Sequence, residues 1–417
     1  MLIKSGCKID EQIMVCRRTI DQPNHKTGLH MGFNNFCSFN IESEFSMEAP
    51  TGKVKTRFPD NYTSTDAEYD LIKTAVIVGE NAGGKSNFIG SLKFLKSLVN
   101  VNSPVQSVGA YVNVTSTLTE ANPVQRFEIT FISVVGHVYR YSLAIDRLGI
   151  VREALHKQSK RRATFSCLFA VERGNDGRYE KKEGKAGELV AALKNSNNSY
   201  GLFVSKLALL GNKDAIETVD WFKNILLPGA VPEDRENDPV GKDEDIRVLK
   251  DPRFLKIFRM VDYSICSIEV DNDKPYGKSL IIRKDADGNE IRRELQQDST
   301  GVREFFAWAV QIFRVVYENR VVFADEMDRV LNPILSDRVV AFVNGAEHQG
   351  QFIFSTHNVL HLNLKTYMKE QIYFVTKSKD SLTSELYSLA DFPEVRYETA
   401  KVYEFYMKGI LGGTAFE

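Results

Sequence analysis

The sequence contains 417 residues, 43% of them hydrophobic, and its formal net charge is -1 at pH 7. This length predicts two or three domains, or one large domain with an insertion, and the apolar content is sufficient for a substantial core. The 54 basic and 55 acidic residues are nearly equal in number, which argues against a strong overall attraction to nucleic acid or to an acidic membrane. Local charged patches are compatible with this balance.

The cysteines and the apolar segments bear on the cellular location. The five cysteines are scattered, their number is odd, and no Cys-x-x-Cys pair occurs, which is typical of reduced thiols. The amino terminus lacks the long apolar core of a signal peptide. No segment approaches the roughly 18 apolar residues of a membrane-spanning helix. We therefore expect a cytoplasmic protein with no membrane partner.

The first third of the chain predicts strands around one strand–helix unit. Residues 31–47 alternate in places between apolar and polar side chains and indicate strands, while residues 56–66 have the composition of a loop. Residues 71–79 form a short branched run that ends at glycine, which predicts a buried strand. Apolar residues recur at helical spacing through 85–99 and predict a helix. Residues 125–157 predict further strands separated by glycine turns.

In the middle of the chain, the predicted elements change from strands to helices and a loop before strands return. The sequence Asn-Asp-Gly at 175–177 is a hairpin signal. Residues 186–227 are expected to be helical, and residues 227–247, rich in charge, proline and glycine, are expected to be an exposed loop. A short helix is predicted over 251–262. Strands with a second hairpin at residues 285–289 follow.

From residue 299 onward the pattern alternates between helix and strand. The strand–helix unit at 71–99 and the carboxy-terminal third therefore look like two halves of one α/β core with a mixed sheet and flanking helices. We expect residues 1–150 to be the first half, 151–265 an inserted and mostly helical lobe, and 266–417 the second half.

A glycine-rich stretch connects the strand ending at Gly79 to the helix starting near Lys85. It matches G-x-x-x-x-G-K-[ST], the pattern whose backbone amides and helix amino terminus cradle phosphates. Lys85 is expected to bridge the β- and γ-phosphates of ATP, and Ser86 to ligate Mg²⁺. A glycine-rich turn that binds nothing is the alternative. The expected nucleotide-binding residues here are Gly79, Glu80, Asn81, Ala82, Gly83, Gly84, Lys85, Ser86 and Asn87.

Two acidic residues follow a short apolar strand at 321–324. Asp325 and Glu326 then lie at the strand's carboxyl end, where ligands bind in parallel α/β sheets. Asp325 is a candidate Mg²⁺ ligand, and Glu326 is a candidate catalytic residue that polarises the attacking water. The alternative is a helix amino terminus that happens to carry acidic residues.

Two further segments complete the candidate site. His357 follows another buried strand, at 351–356, and from there could reach the γ-phosphate as a catalytic residue. Ser299 and Gly301 precede a long apolar helix, and small residues at a helix start can form an anion site. An ordinary helix cap is the alternative for Ser299.

In this order, the motifs resemble those of ABC-class ATPases of the SMC-like branch. Residues 80–87 resemble that branch's phosphate loop, and residues 298–302 resemble a degenerate signature motif. Asp325 and Glu326 are similar to the Walker B pair, Asp328 to the D-loop aspartate and His357 to the switch histidine. Segments such as FSTHN and DEMDRVLNP resemble, more narrowly, bacterial abortive-infection-type AAA ATPases. The similarity extends over about residues 30–417.

The resemblance implies an ABC-type P-loop NTPase head with an inserted α+β lobe, and ATP and Mg²⁺ as cofactors. Two heads would enclose two ATP molecules, so that Lys85 and Ser86 of one copy face Ser299 and Gly301 of the other; Asp328 would also contact nucleotide. The implied partners are a second copy in a homodimer or higher oligomer, an effector such as a nuclease or toxin, and DNA or a phage-derived trigger. Proteins of this family commonly act in anti-phage defence.

The sequence also departs from the family pattern. Val302 stands where the signature usually has a small or hydroxyl residue, and Leu331 precedes Asn332 and Pro333 where a histidine is common. Gln125 is a candidate Q-loop residue. The chain lacks long heptad arms, so a long coiled-coil clamp is disfavoured. The alternative function is an SMC-like ATPase that senses DNA ends or DNA structure in repair or recombination.

Overall fold

We obtained a computed structural model of the chain. It describes residues 30–65, 67, 69–99, 122–159, 164–184, 201–227, 239–329, 331–397 and 401–412, with the backbone alone at 239–241 and 329. The strands are β1 (His30–Asn34), β2 (Ser43–Ser46), β3 (Tyr62–Ser64), β4 (Asp70–Ile72), β5 (Thr74–Gly79), β6 (Gln125–Ile132), β7 (Val138–Asp146), β8 (Gly149–Gln158), β9 (Phe165–Arg173), β10 (Tyr179–Gly184), β11 (Ile265–Glu269), β12 (Leu280–Lys284), β13 (Glu290–Glu294), β14 (Val321–Ala324), β15 (Gln351–Thr356), β16 (Ile372–Lys377) and β17 (Ser384–Ser388). The α-helices are α1 (Lys53–Arg57), α2 (Lys85–Val99), α3 (Phe203–Leu209), α4 (Lys213–Asn224), α5 (Pro239–Leu249), α6 (Pro252–Phe258), α7 (Thr300–Glu318), α8 (Pro333–Gly345) and α9 (Val402–Met407).

A five-stranded sheet in the order β14-β15-β5-β16-β17 forms the centre of the fold. Its first four strands are parallel and β17 is antiparallel. Strand β5 comes from the first part of the chain and the other four from the last third. The expectation of an α/β core assembled from two distant halves is therefore confirmed.

Both faces of this sheet are covered, which explains its nearly continuous apolar strands. Ala75 and Ile77 of β5 belong to one hydrophobic cluster together with Phe88 of α2. Val76 and Val78 point the other way, into a second cluster built mainly on α7 and α8. Because successive side chains of a strand alternate between faces, one short run of β5 supplies both cores.

A seven-stranded antiparallel sheet, in the order β10-β9-β8-β7-β6-β1-β2, packs on the α2 side of the core. The rings of Phe131 on β6 and Trp221 on α4 stack with their centroids 4.4 Å apart. The strands expected over 125–157 and the hairpin expected at 175–177 are present. Gly177 has a φ of 78°, which suits glycine at this turn.

The region expected to be an inserted, mostly helical lobe begins with strands instead. Strand β8 crosses the predicted boundary at residue 150, and β9 and β10 extend the same sheet. Residues 185–200, part of the predicted helical region, lie outside the described residues, and helices α3 and α4 follow. The division into domains stays a prediction. Residues 151–184 are rich in strand because β8 pairs with β7, β9 with β8 and β10 with β9.

Two predicted loops also contain regular structure. Helix α5 begins inside the segment 227–247 and continues to Leu249. Val248 is buried near its end, and Asp245 forms an ion pair with Arg314 of α7. Residues 228–238 lie outside the described residues. The segment 56–66 includes the end of α1 and strand β3. The charge-rich composition predicted a loop because it gave no sign of the apolar contacts that anchor α5.

Helix α7 crosses the second cluster and ends at Asn319, whose φ of 53° is left-handed. Its amino end lies beside the small antiparallel sheet β11-β12-β13. Within the described part of the chain, no helix combines the length and apolar character needed to cross a membrane.

Candidate functional site

The candidate site lies at the carboxyl edge of the five-stranded sheet, where β5 passes through the phosphate loop into α2. A side chain on Gly79 would collide with the carbonyl oxygen of Val375 on the neighbouring strand β16. Gly84 has a φ of +123°, and a Cβ there would meet Ser384. Glycine is therefore required at these two positions for the loop to turn this closely against the sheet.

Lys85 lies inside the loop. Its Nζ donates hydrogen bonds to the carbonyl oxygens of Gly79 and Glu80, both at 2.8 Å. Burial lowers the pKa of Lys85, while the charges of four nearby carboxylates, Asp325 first among them, oppose that shift. The ammonium is thus held by the loop backbone and faces the acidic residues of the site.

The loop is anchored by two serines from distant parts of the sequence and by the neighbouring Asn87. The Ser384 hydroxyl donates to the Gly83 carbonyl at 2.5 Å and lies 2.7 Å from the Ser38 hydroxyl. Asn87 Nδ2 donates to Ser38 Oγ at 2.8 Å. The sequence pattern identified Asn87 but missed Ser38 and Ser384. No local signal could have found that pair, because 346 positions separate the two serines in the chain.

The two acidic residues after β14 are held by the next strand. The Ser355 hydroxyl donates to Asp325 Oδ1 at 2.5 Å and accepts a hydrogen bond from the Glu326 backbone N–H at 2.8 Å. Glu326 has a φ of 50°, a left-handed conformation that costs a non-glycine residue roughly 1–3 kcal/mol. Asp325 is half-buried and Glu326 is exposed, so both carboxylates can meet a ligand.

Asp328 and His357 are also brought together. The backbone N–H of His357 donates to Asp328 Oδ2 at 3.1 Å, and the His357 side chain is exposed. Asp328 Oδ1 is buried and has no hydrogen-bond partner among the described residues. The same carboxylate contributes to the electrostatic environment of Lys85. Four predicted site residues, Lys85, Asp325, Glu326 and Asp328, therefore share one electrostatic neighbourhood.

The donor set suits a divalent cation that arrives with a nucleotide. The hydroxyl of Ser86 is exposed at the start of α2, and Asp325 supplies a carboxylate. The described residues contain no group of three or more His, Cys, Asp or Glu side chains arranged to bind a metal. Mg²⁺ in such sites uses one or two protein oxygens, water and the substrate's phosphates, so the residues present fit Mg²⁺ bound to ATP.

The segment with Ser299 and Gly301 is exposed at the amino end of α7. Ser299 Oγ accepts a hydrogen bond from the Val302 N–H at 3.4 Å, so this serine acts as a helix cap. A Cβ on Gly301 would meet no atom within 4 Å. The preceding Asp298 lies with Oδ2 2.8 Å from Arg283 Nη1. The role of Ser299 and Gly301 toward an anion stays a prediction.

The Q-loop candidate is engaged elsewhere. Gln125 is fully buried at the start of β6, and its Nε2 donates to the carbonyl oxygen of Asn35 at 3.0 Å. This bond joins β6 to the turn after β1, which accounts for the residue structurally. Its assignment to a Q-loop is untested.

The sequence matches one family model, described as "AAA domain, putative AbiEii toxin, Type IV TA system", over residues 75–363, roughly two thirds of the chain. This range contains the phosphate loop, both acidic residues and His357. The resemblance to abortive-infection AAA ATPases drawn from the sequence is thereby confirmed. No curated protein sequence matches this chain.

Solved structures with a distant similarity are SMC head domains. One, the SMC head bound to the C-winged helix domain of ScpA, is 16% identical, with a TM-score of 0.44, 87% of this chain covered and 98% of that one. The SMC head domain from Thermotoga maritima is 13% identical, with a TM-score of 0.39 and coverages of 87% and 99%. The SMC head domain with an extended coiled coil bound to the C-terminal domain of ScpA, derived from Pyrococcus furiosus, is 13% identical, with a TM-score of 0.39 and coverages of 87% and 96%.

Proposed function

This chain belongs to the AAA-domain family described above, and on that premise we propose that it is a Mg²⁺-dependent ATPase that dimerises on binding ATP and controls an associated effector in anti-phage defence. The observation that carries the proposal is the arrangement of Lys85 inside a complete phosphate loop, opposite acidic residues that the neighbouring strands hold. If Lys85 and these carboxylates only stabilised the fold, the glycine-dependent turn around the Lys85 ammonium would not be needed.

Each residue has a role in this proposal. Lys85 and the loop amides bind the ATP phosphates, and Ser86 and Asp325 hold Mg²⁺. When bound, Mg²⁺ neutralises charge on the phosphates and supplies Lewis-acid polarisation. Glu326 orients the attacking water and accepts its proton, because its carboxylate is exposed beside the cation ligand. His357 acts at the γ-phosphate.

The dimer is proposed from the exposure of the signature segment. Ser299 and Gly301 start a 19-residue helix whose amino end carries partial positive charge. Gly301 is open to solvent, so a phosphate of ATP bound to a second copy could approach its backbone. The composite site of the proposed dimer consists of the phosphate loop of one copy and residues 299–301 of the other, and Asp328 lies between these two halves. The family description, which names a toxin system, supports the defence role and an effector of nuclease or toxin type.

The main experiment uses Glu326→Gln, which keeps the shape of the side chain but removes the base. We expect ATP hydrolysis to fall by about 100-fold or more, with ATP binding retained. Light scattering behind size-exclusion chromatography in Mg-ATP should show a stable dimer, because the trapped nucleotide keeps the heads closed. Glu347→Gln, at an exposed glutamate after α8, is the matched control and should behave as wild type.

Two results would count against separate parts of the proposal. Wild-type hydrolysis by Glu326→Gln would remove the catalytic role of this carboxylate. An unchanged monomer in Mg-ATP would remove the dimer switch while leaving the ATPase. The effector role is tested separately, by purifying the chain with the products of its neighbouring genes in the presence and absence of ATP.

A further inference from the structure

One hydroxyl group connects the two acidic residues of the site. Ser355 is fully buried at the end of β15, yet its Oγ bonds to both residues that follow β14: Asp325 through the carboxylate and Glu326 through the backbone. The proposed function assigns no role to this serine.

The strand register explains why Ser355 reaches this position. Strands β14 and β15 are parallel, and Ala324 lies opposite Phe354 in the ladder. The next residues, Asp325 just after β14 and Ser355 near the end of β15, therefore lie side by side at the carboxyl edge. The next hydroxyl in β15 has a local role, since Thr356 Oγ1 accepts the N–H of Asn358 at 2.9 Å.

The two hydrogen bonds of Ser355 act on different groups, one on the side chain of Asp325 and the other on the backbone of Glu326. The O–H of Ser355 donates to Asp325 Oδ1 at 2.5 Å, a charge-assisted bond that orients the carboxylate. The same oxygen accepts the N–H of Glu326, whose left-handed backbone needs a fixed partner to persist. A single buried group thus sets the direction of a cation ligand and of a catalytic base.

We propose that Ser355 is a positioning residue that orients Asp325 toward Mg²⁺ and fixes the backbone from which Glu326 projects. This inference rests on the proposed ATPase function and deepens it. Residues that orient metal ligands in this way typically change metal affinity or activity by about 10- to 100-fold when they are removed. The effect should therefore appear in Mg²⁺ dependence and in kcat, and not in the affinity for nucleotide without metal.

The test compares Ser355→Ala with Ser355→Thr, which retains a hydroxyl, and with Ser91→Ala as the matched control. Ser91 is also fully buried, but its hydroxyl bonds only within α2, to the carbonyl oxygen of Phe88. Binding of a fluorescent ADP analogue is measured in EDTA and over a Mg²⁺ titration, and ATP hydrolysis is measured over the same titration. Thermal unfolding of every variant monitors folding.

For Ser355→Ala we expect analogue binding in EDTA within about 3-fold of wild type, a Mg²⁺ requirement raised by about 10-fold, and kcat reduced by about 10- to 100-fold with KM little changed. Ser355→Thr should recover most of both effects, and Ser91→Ala should match wild type. If Ser355 contributed only to packing, Ser355→Ala would instead lower the unfolding temperature and leave the Mg²⁺ dependence of binding and hydrolysis as in wild type.

The outcomes separate this inference from the proposed function. Wild-type Mg²⁺ dependence and kcat in Ser355→Ala, with Glu326→Gln inactive, would overturn the inference and leave the ATPase intact. A wild-type protein that shows Mg²⁺-dependent analogue binding, lost in Ser355→Ala, but no hydrolysis would support the inference and overturn the ATPase. Absence of any analogue binding by the wild type would overturn both.

Discussion

The phosphate loop and the segment 298–302 both lead into a long helix, but the protein anchors them differently. The loop before α2 is tied to Lys85, to Ser384 and to the adjacent strand β16. At the start of α7, Ser299, Thr300 and Gly301 are exposed, while Val302 is buried and the preceding Asp298 forms an ion pair with Arg283. The first segment is anchored within one chain, whereas the second is an open surface, and in the proposed dimer its ligand comes from a second copy.

This difference predicts which variants act on a single chain and which act only on the dimer. A change in the phosphate loop should remove nucleotide binding by each copy. A change in the segment 298–302 should leave binding in place and weaken assembly.

Lys85→Met should have the largest effect. The loop would lose its buried positive charge while the loop carbonyl oxygens remain, so ATP affinity should fall by about 100-fold. Isothermal titration calorimetry with Mg-ATP measures this change. Lys93→Met, at an exposed lysine on the same helix, should bind as wild type. Equal losses in both variants would mean that the effect is a general one of charge on α2.

Gly301→Asp should separate binding from assembly. A side chain fits at this position without contact, so folding should be preserved, but the new carboxylate repels the phosphates of a second copy. We expect ATP binding within about 2-fold of wild type and dimerisation weakened by about 10-fold or more, measured in the Glu326→Gln background. Gly345→Asp, another open glycine, is the control.

Lys85→Met and Gly301→Asp together give a stricter form of this test when neither carries Glu326→Gln. Mixing the two variants should restore hydrolysis, because one site of the mixed dimer then combines an unaltered phosphate loop with an unaltered segment 298–302. A mixture that stays inactive would show that Gly301 does not act on nucleotide bound to another copy.

Arg283→Ala should have the smallest effect. Arg283 Nε also donates to Asp262 Oδ2 at 2.8 Å, so the arginine fixes Asp298 to the small sheet beside α7. Its loss should weaken ATP-dependent dimerisation by about 5-fold, a coupling of about 1 kcal/mol, without changing ATP affinity. Arg292→Ala, on the next strand and paired only at the exposed surface, is the control. A matching loss of ATP affinity in Arg283→Ala would point to general destabilisation.

The parts of the site that the sequence predicted are those with local causes. The phosphate loop needs glycines at set positions between a strand and a helix, so Gly79 and Lys85 could be identified from spacing alone. Asp325 and His357 each follow a short apolar strand, which is also a local signal. The predicted helix over 85–99 coincides with α2 for the same reason.

The segments whose structure differs from the prediction lacked such signals. The strands expected up to residue 157 and the hairpin expected at 175–177 belong to one sheet, in which β8 pairs with β7, β9 with β8 and β10 with β9, so the strand content of 151–184 comes from neighbouring strands. Helix α5 is rich in charged residues and depends on Val248 and on the buried pair of Asp245 with Arg314. Pairing and burial of this kind are decided by distant residues, so composition could not reveal them.

By itself, then, the sequence determined the nucleotide motifs, their order and the α/β class, since each depends on neighbours a few residues apart. Only the tertiary structure decided which side chains support those motifs. Ser355 reaches Asp325 through the register of two parallel strands, Ser384 reaches Gly83 across 301 positions, and Arg283 reaches Asp298 from β12. Hydrogen bonds and ion pairs act over about 3 Å in space, and only folding brings such separated residues within that range.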